Sequence, residues 1–392
     1  MKKKKIIRSV TVPQSLGFCR EVMLRMEKMG YESVVVTSPG EALDKFREEC
    51  PQFKTIEVPM ERHIALLKDA WALLTMIGVM LRERPYMVHS MTPKAGLLSM
   101  VAAWLTGVPV RIHTFTGLIW PTAVGFRRKI LMLMDRLLCA CATHVIPEGQ
   151  GVLNDLRDFG VCRKPMKVLG YGNVKGVDME RFNPARFTPA PMEHRPFTFV
   201  FVGRMVGDKG INELVEAFTR LNDKYSKTRL LLVGPYEKHL DPVSELTQNR
   251  IDASRAIVAC GPKYGDELLQ MYVDADCFVM PSYREGFPNT VLEAGAMGLP
   301  QIVTDINGSR EIVIDGENGL IVPPKDAGAL YGAMERMLTD EPMRKSMAEK
   351  ARGLIANRFE KGFVQQCLMD FYEEVAFPHP SPKGKGAGSG GC

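Results

Sequence analysis

The chain has 392 residues, 45% of them hydrophobic and 24% charged, with a formal net charge of +6. That length exceeds one ordinary core and predicts two domains of roughly 150–200 residues. The composition excludes a fibrous or disordered protein, and positive charge this dispersed, without a recognised module, argues against a nucleic-acid partner.

The first residues are basic but lead into no apolar core long enough for a secretory signal. From residue 6 to about 162, short β-branched runs at 6–12, 34–37, 87–89, 110–115 and 144–146 alternate with stretches of helical spacing. That alternation predicts βαβ units and a parallel sheet. The longest uncharged stretch, 95–110, contains Gly96, Gly107 and Pro109 and falls short of the ~20 residues that span a bilayer. Nine cysteines form no CxxC pair. Reduced thiols in a cytoplasmic protein are expected, with Cys139 and Cys141 buried.

Within the first half, residues 126–138 join the basic cluster Arg127, Arg128 and Lys129 to a strongly apolar helix. With Trp120, Lys68, Trp71, Arg82 and Arg84 they form either a membrane-facing surface or ordinary amphipathic helices with basic outer faces. Prolines at 184, 189, 191 and 196 mark a linker. A second strand set follows at 197–202, 229–233, 257–258, 277–280, 301–304 and 320–322. The expected architecture is α/β, with domains at 1–190 and 191–357, a helix at about 358–376 packing back on the first domain, and a disordered tail at 378–392.

Two strand ends carry candidate chemistry. Gly203 to Gly210 lies between a strand and a helix, where free N–H groups and the cations Arg204 and Lys209 suit a diphosphate; a solvated turn with two surface cations is the plainer alternative. Residues 281–294 follow another strand, and open α/β sheets bind ligands beyond such ends. Gly286 permits close backbone approach, Asn289 or Thr290 opens a helix, and Glu293 on it could accept both hydroxyls of a ribose. Glu285, on the loop, could meet a sugar; otherwise these are a turn and a glutamate favoured by the helix dipole.

The spacing of Glu285 and Glu293 within Glu-Gly-Phe-Pro-Asn-Thr-Val-Leu-Glu-Ala resembles the signature of family 4 glycosyltransferases. The Gly-Arg…Lys-Gly loop at 203–210, and the stretches 231–234, 274–282 and 308–313, resemble the same family. The likeness is dense over 197–357 and loose before it. It implies the GT-B fold, two Rossmann-like domains facing each other across a cleft, and retaining transfer without a metal or other cofactor. It further implies that Arg204 and Lys209 hold the diphosphate, with Gly203 in the same loop, and that Glu293 binds the ribose. The donor sugar would meet Glu285 and the backbone of Gly286 and Phe287, and the adjoining Pro288 and Asn289 would belong to the donor site. His113, at the end of a first-domain strand, occupies a position where members often place a histidine against the sugar. The first loop departs from the family, offering the single Gly17 as a donor-binding residue, opening the following helix toward the phosphate, where many members have a glycine pair.

Asp274-Ala275-Asp276 matches a metal-binding DxD pattern, but capping and solvation account for it before a strand. His89 is a weaker site candidate, and His63, His144, His194, His239 and His379 read as surface or structural. The loop 113–120 resembles bacterial capsular and O-antigen glycosyltransferases. The resemblance therefore implies a polyprenyl-diphosphate-linked saccharide as acceptor, a UDP-hexose or UDP-N-acetylhexosamine as donor with GDP next, and peripheral contact with the inner face of the cytoplasmic membrane. A soluble disaccharide synthase of the same fold and a non-catalytic nucleotide-sugar-binding subunit are the alternatives.

Overall fold

The computed structural model describes residues 4–61, 65–189, 191, 195–237 and 241–376. His63, His194, His239, His379 and the 378–392 tail lie outside them. The first sheet comprises β1 (Lys5–Ser9), β2 (Glu32–Thr37), β3 (Lys54–Glu57), β4 (Met87–Ser90), β5 (Val110–Phe115) and β6 (His144–Pro147), all parallel in the order β3-β2-β1-β4-β5-β6. The second comprises β7 (Phe197–Val202), β8 (Thr228–Val233), β9 (Ile257–Gly261), β10 (Cys277–Met280), β11 (Gln301–Thr304) and β12 (Gly319–Val322). Its order, β12-β11-β10-β7-β8-β9, repeats the first. Both are doubly wound Rossmann-like sheets.

The strands are apolar nearly throughout because helices cover both faces. One face of the first sheet carries helices Leu66–Glu83, Pro93–Leu105 and Gly125–Cys141, with Pro93–Leu105 between the other two. The other face receives Val22 and Met26 of helix Arg20–Lys28 and Leu368, Met369 and Phe371 of Lys361–Ala376. That last helix is also tied in by Tyr372, which shares the fully buried guanidinium of Arg8 with His89 Nδ1.

Two local expectations are corrected. The first strand stops at Ser9, because Pro13 starts a 3-10 turn that runs to Phe18. β3 was not anticipated, because Lys54-Thr55-Ile56-Glu57 is a half-exposed edge strand with a charge at each end. Among the described residues no helix is long and apolar enough to cross a membrane.

Candidate donor and acceptor cleft

The strand order of the second, all-parallel sheet reverses between β7 and β10, its two central strands. Crevices beyond the carboxyl ends of strands at such a switch point are where open α/β sheets hold ligands. The loop after β7 carries Arg204 and Lys209, and the loop after β10 carries Arg284, Glu285 and Gly286. All five line one cleft of about 300 Å³, whose opposite wall is Thr116, Gly117, Leu118 and Ile119 of the first domain.

Each cation of these loops is held by a carboxylate. Lys209 Nζ pairs with Glu285 Oε1, both side chains 14% exposed. Arg204 meets Glu237 at 2.8 Å and Arg284 meets Asp208 at 3.2 Å. The backbone closes on itself behind them: a Cβ on Gly286 would overlap the Thr116 carbonyl, and one on Gly117 would lie 3.2 Å from Gly286 Cα. Gly117 also holds φ +130°, a region that L side chains rarely adopt.

A second cavity, of about 320 Å³, adjoins the same segment and is lined by Gly17, Lys175, Arg181, Tyr264, Asn289 and Glu293 among others. Helix Asn289–Ala296 begins directly after Pro288, which places Glu293 in its second turn facing this cavity. Burial raises the Glu293 pKa, while Lys175, 3.9 Å away, and Arg181 draw it back. A largely buried carboxylate that shares a cavity with the Tyr264 ring and two cations suits a nucleoside with attached phosphate.

Two family descriptions match the chain, "Glycosyl transferases group 1" over residues 186–354 and "Glycosyl transferase 4-like domain" over residues 18–172. The capsular polysaccharide biosynthesis glycosyltransferase CapM of Staphylococcus aureus is 31% identical over 95% of this chain and 97% of its own length. The chain belongs to the family 4 glycosyltransferases. The UDP-Gal:alpha-D-GlcNAc-diphosphoundecaprenol alpha-1,3-galactosyltransferase of Escherichia coli is 28% identical, over 80% of this chain and 82% of its own. A glycosyltransferase crystal structure from Rickettsia africae superposes with a TM-score of 0.76 at 20% identity, covering 97% of this chain and all of its own, and shares the GT-B fold.

This glycosyltransferase brings Arg204, Lys209, Glu285 and Gly286 into one cleft, and Gly17, Asn289 and Glu293 into the cavity beside it. Phe287 and Pro288, between the two, are buried and line neither space, and the Phe287 ring packs on Phe359. Gly203 lines neither space and packs against the Phe201 ring. His113 also stands apart. Its ring is 1% exposed, bonded to Ser90 Oγ at 2.9 Å and covered by Gly96, and burial lowers its pKa to about 3. Thr116 and Gly117, three and four residues further on, are the residues of that strand end that reach the cleft.

Sequence reasoning missed these two, and it missed Glu237, Asp208 and Lys175, whose parts depend on contacts between distant elements. Asp276 is corrected too: it is an ion-pair partner rather than a solvated cap, accepting both terminal nitrogens of Arg195 at 2.7 Å. Trp120 is likewise no surface aromatic. It is fully buried and donates to Asp135 Oδ2 at 3.1 Å, and burial raises that aspartate to about 7.

Proposed function

We propose that the chain is a retaining, metal-independent hexosyltransferase of capsule or related cell-surface polysaccharide assembly. It moves a hexose or N-acetylhexosamine from a nucleotide sugar, a UDP-sugar first, to a polyprenyl-diphosphate-linked saccharide. The observation that carries this reading is the meeting of Arg204 and Lys209 with Glu285 in one cleft across from Thr116 and Gly117. In this reading residues 191–357 hold the nucleotide sugar and residues 1–190 the acceptor. Glu293 binds the ribose and Glu285 the sugar, while Arg204 and Lys209 neutralise the leaving phosphate, the part a divalent cation plays elsewhere. The acceptor hydroxyl attacks the anomeric carbon from the side the diphosphate leaves, and the leaving phosphate oxygen takes its proton.

The acceptor half of the reading draws on the polyprenyl-linked substrate of the Escherichia coli relative and on one surface of this chain. Helix Leu66–Glu83 leaves Leu67, Trp71, Leu74 and Leu81 exposed on one stripe, while Ala72, Met76 and Val79 on the other side are buried. Lys68, Arg82 and Arg84 flank the stripe. Beyond helix Pro93–Leu105, helix Gly125–Cys141 exposes Phe126, Leu133 and Leu137 beside Arg127 and Lys129. Apolar stripes edged with cations suit an anionic lipid surface, which supports peripheral placement at the inner face of the cytoplasmic membrane.

The test is transfer by the purified chain from UDP- and GDP-sugars to a polyprenyl-diphosphate saccharide in EDTA, with the product anomer read by NMR. Retained configuration is expected. An inverted product, or loss of transfer in EDTA, sinks the mechanism. Transfer to free sugars alone favours the soluble synthase, and donor binding without turnover a non-catalytic subunit.

A further inference from the structure

Two side chains of the second domain enter the start of a first-domain helix. Helix Gln150–Asp158 follows β6, and its first N–H groups have no carbonyl partner within the helix. The Glu311 carboxylate takes two of them: Oε2 lies 2.5 Å from Gln150 N and Oε1 3.0 Å from Gly151 N. One turn on, Asp155 Oδ2 accepts from Asn307 Nδ2 at 2.6 Å. The first domain is shaped for both. A Cβ on Gly149 would lie 2.6 Å from Glu311 Oε2, and one on Gly151 would overlap Asn307 Oδ1.

The same carboxylate reaches the donor loop. Glu311 Oε1 also accepts from Gly308 N at 3.3 Å, and Gly308 backs so closely on the Gly286 carbonyl that a Cβ there would overlap it. Gly286 in turn touches Thr116 of the first domain and adjoins Glu285. Separation of the domains would strip Glu311 of the Gln150 and Gly151 donors while leaving Gly308, which sits on its own domain. A carboxylate on two N-terminal amides gains from charge-assisted bonds and from the helix dipole.

We propose that Glu311, seconded by Asn307, is a positioning residue that latches the two domains shut over the donor site. The proposal rests on the donor reading of the cleft given above. Neither residue lines either cavity, so both act through the population of the closed form. A latch acts on binding: when the closed form is rarer, apparent donor affinity falls by the same fraction, and saturating donor restores closure.

The variants E311A, E311Q, G149A and G151A test it. G151A replaces a glycine inside a helix by a better helix former, so it separates the latch from the stability of the fold. E311A and G151A should each raise the donor KM about tenfold and leave kcat within about twofold, with the G151A melting point at or above wild type. E311Q keeps an acceptor oxygen and should fall between wild type and E311A. Adding E311A to G149A should change little further, because the new methyl already displaces the carboxylate. Small-angle scattering of the full chain should give a larger radius of gyration for E311A than for wild type without nucleotide. A lowered kcat at unchanged KM, additive effects in the G149A background, or equal radii would overturn the latch. Scattering needs no turnover, so failure of UDP to bind would count against the donor reading and leave the latch to be judged on the radii.

Discussion

Lys209 and Glu285 face each other across the switch point of the second sheet, the amine of one bonded to the carboxylate of the other. Each comes from a different loop, and both are largely shielded from water. A donor diphosphate would draw on Lys209, and a donor sugar would present hydroxyls to Glu285, so binding exchanges this internal pair for two contacts with one ligand. K209A should lower kcat by about 10²–10³, the usual cost of removing one group that stabilises developing charge. E285A should cost as much and also leave the amine without its partner. The check is transfer rate beside circular dichroism and melting point. A K209A enzyme with wild-type turnover would remove Lys209 from the mechanism.

Gly286 offers a steric test at the same place. G286A puts a methyl group onto the Thr116 carbonyl, backbone against backbone, where no side chain can give way. The two domains must part or the 284–287 loop must shift, and the prediction is a loss of transfer of about a hundredfold or more. Each domain core is remote from this contact, so far-UV dichroism should match wild type. Substantial activity in G286A would mean that the closed contact is not the working geometry.

The fold was legible in the sequence because β-strands buried on both faces read as short β-branched runs between helical spacings, as at 197–202, 277–280 and 301–304. β3 escaped because an edge strand shields only one side and carries Lys54 and Glu57. The site divides the same way. Arg204, Lys209 and Glu285 stand at fixed offsets from neighbouring strands, so local order is enough to bring them into one cleft and to carry Glu293 into the cavity beside it. What pairs with them is not local: Glu237 reaches Arg204 from the loop after β8, and Lys175 reaches Glu293 from the connection between the domains. His113 shows the limit of reasoning from a strand end, since alternation along β5 turns its ring toward Gly96 while the chain runs on to Thr116 before it meets the cleft.

The exposed stripe of helix Leu66–Glu83 predicts a lipid dependence. Leu67 is 89% exposed and Trp71 66%, so acidic replacements there remove little packing. The double variant L67E/W71E should weaken cosedimentation with phosphatidylglycerol vesicles by at least about tenfold, since two large side chains lose their apolar burial. Its donor KM should be unchanged, because the stripe lies outside both cavities. Failure of the wild-type chain itself to sediment with the vesicles would refute the membrane contact.

Glu148 predicts a pH dependence of stability. It is 5% exposed, and its pKa is pushed up to about 8 by burial first and the charge of Glu311 second, against the pull of the Val174 N–H. From the ordinary 4.5 up to about 8, the folded chain therefore holds a proton that the unfolded chain has released. The stability this group contributes is complete below 4.5 and falls by ~1.4 kcal/mol per pH unit as pH rises through that window. His113 runs the other way. Its pKa drops from 6.5 to about 3, so its contribution is lost as pH falls through that range and is level above it. Between pH 6.5 and 8 the Glu148 slope is thus free of the opposing histidine. E148Q, which keeps an acceptor for Val174 and cannot ionise, should flatten that slope and become more stable than wild type toward pH 8. Urea midpoints for both proteins at several pH values across the window would read it, and parallel curves would show that Glu148 is charged in the folded chain.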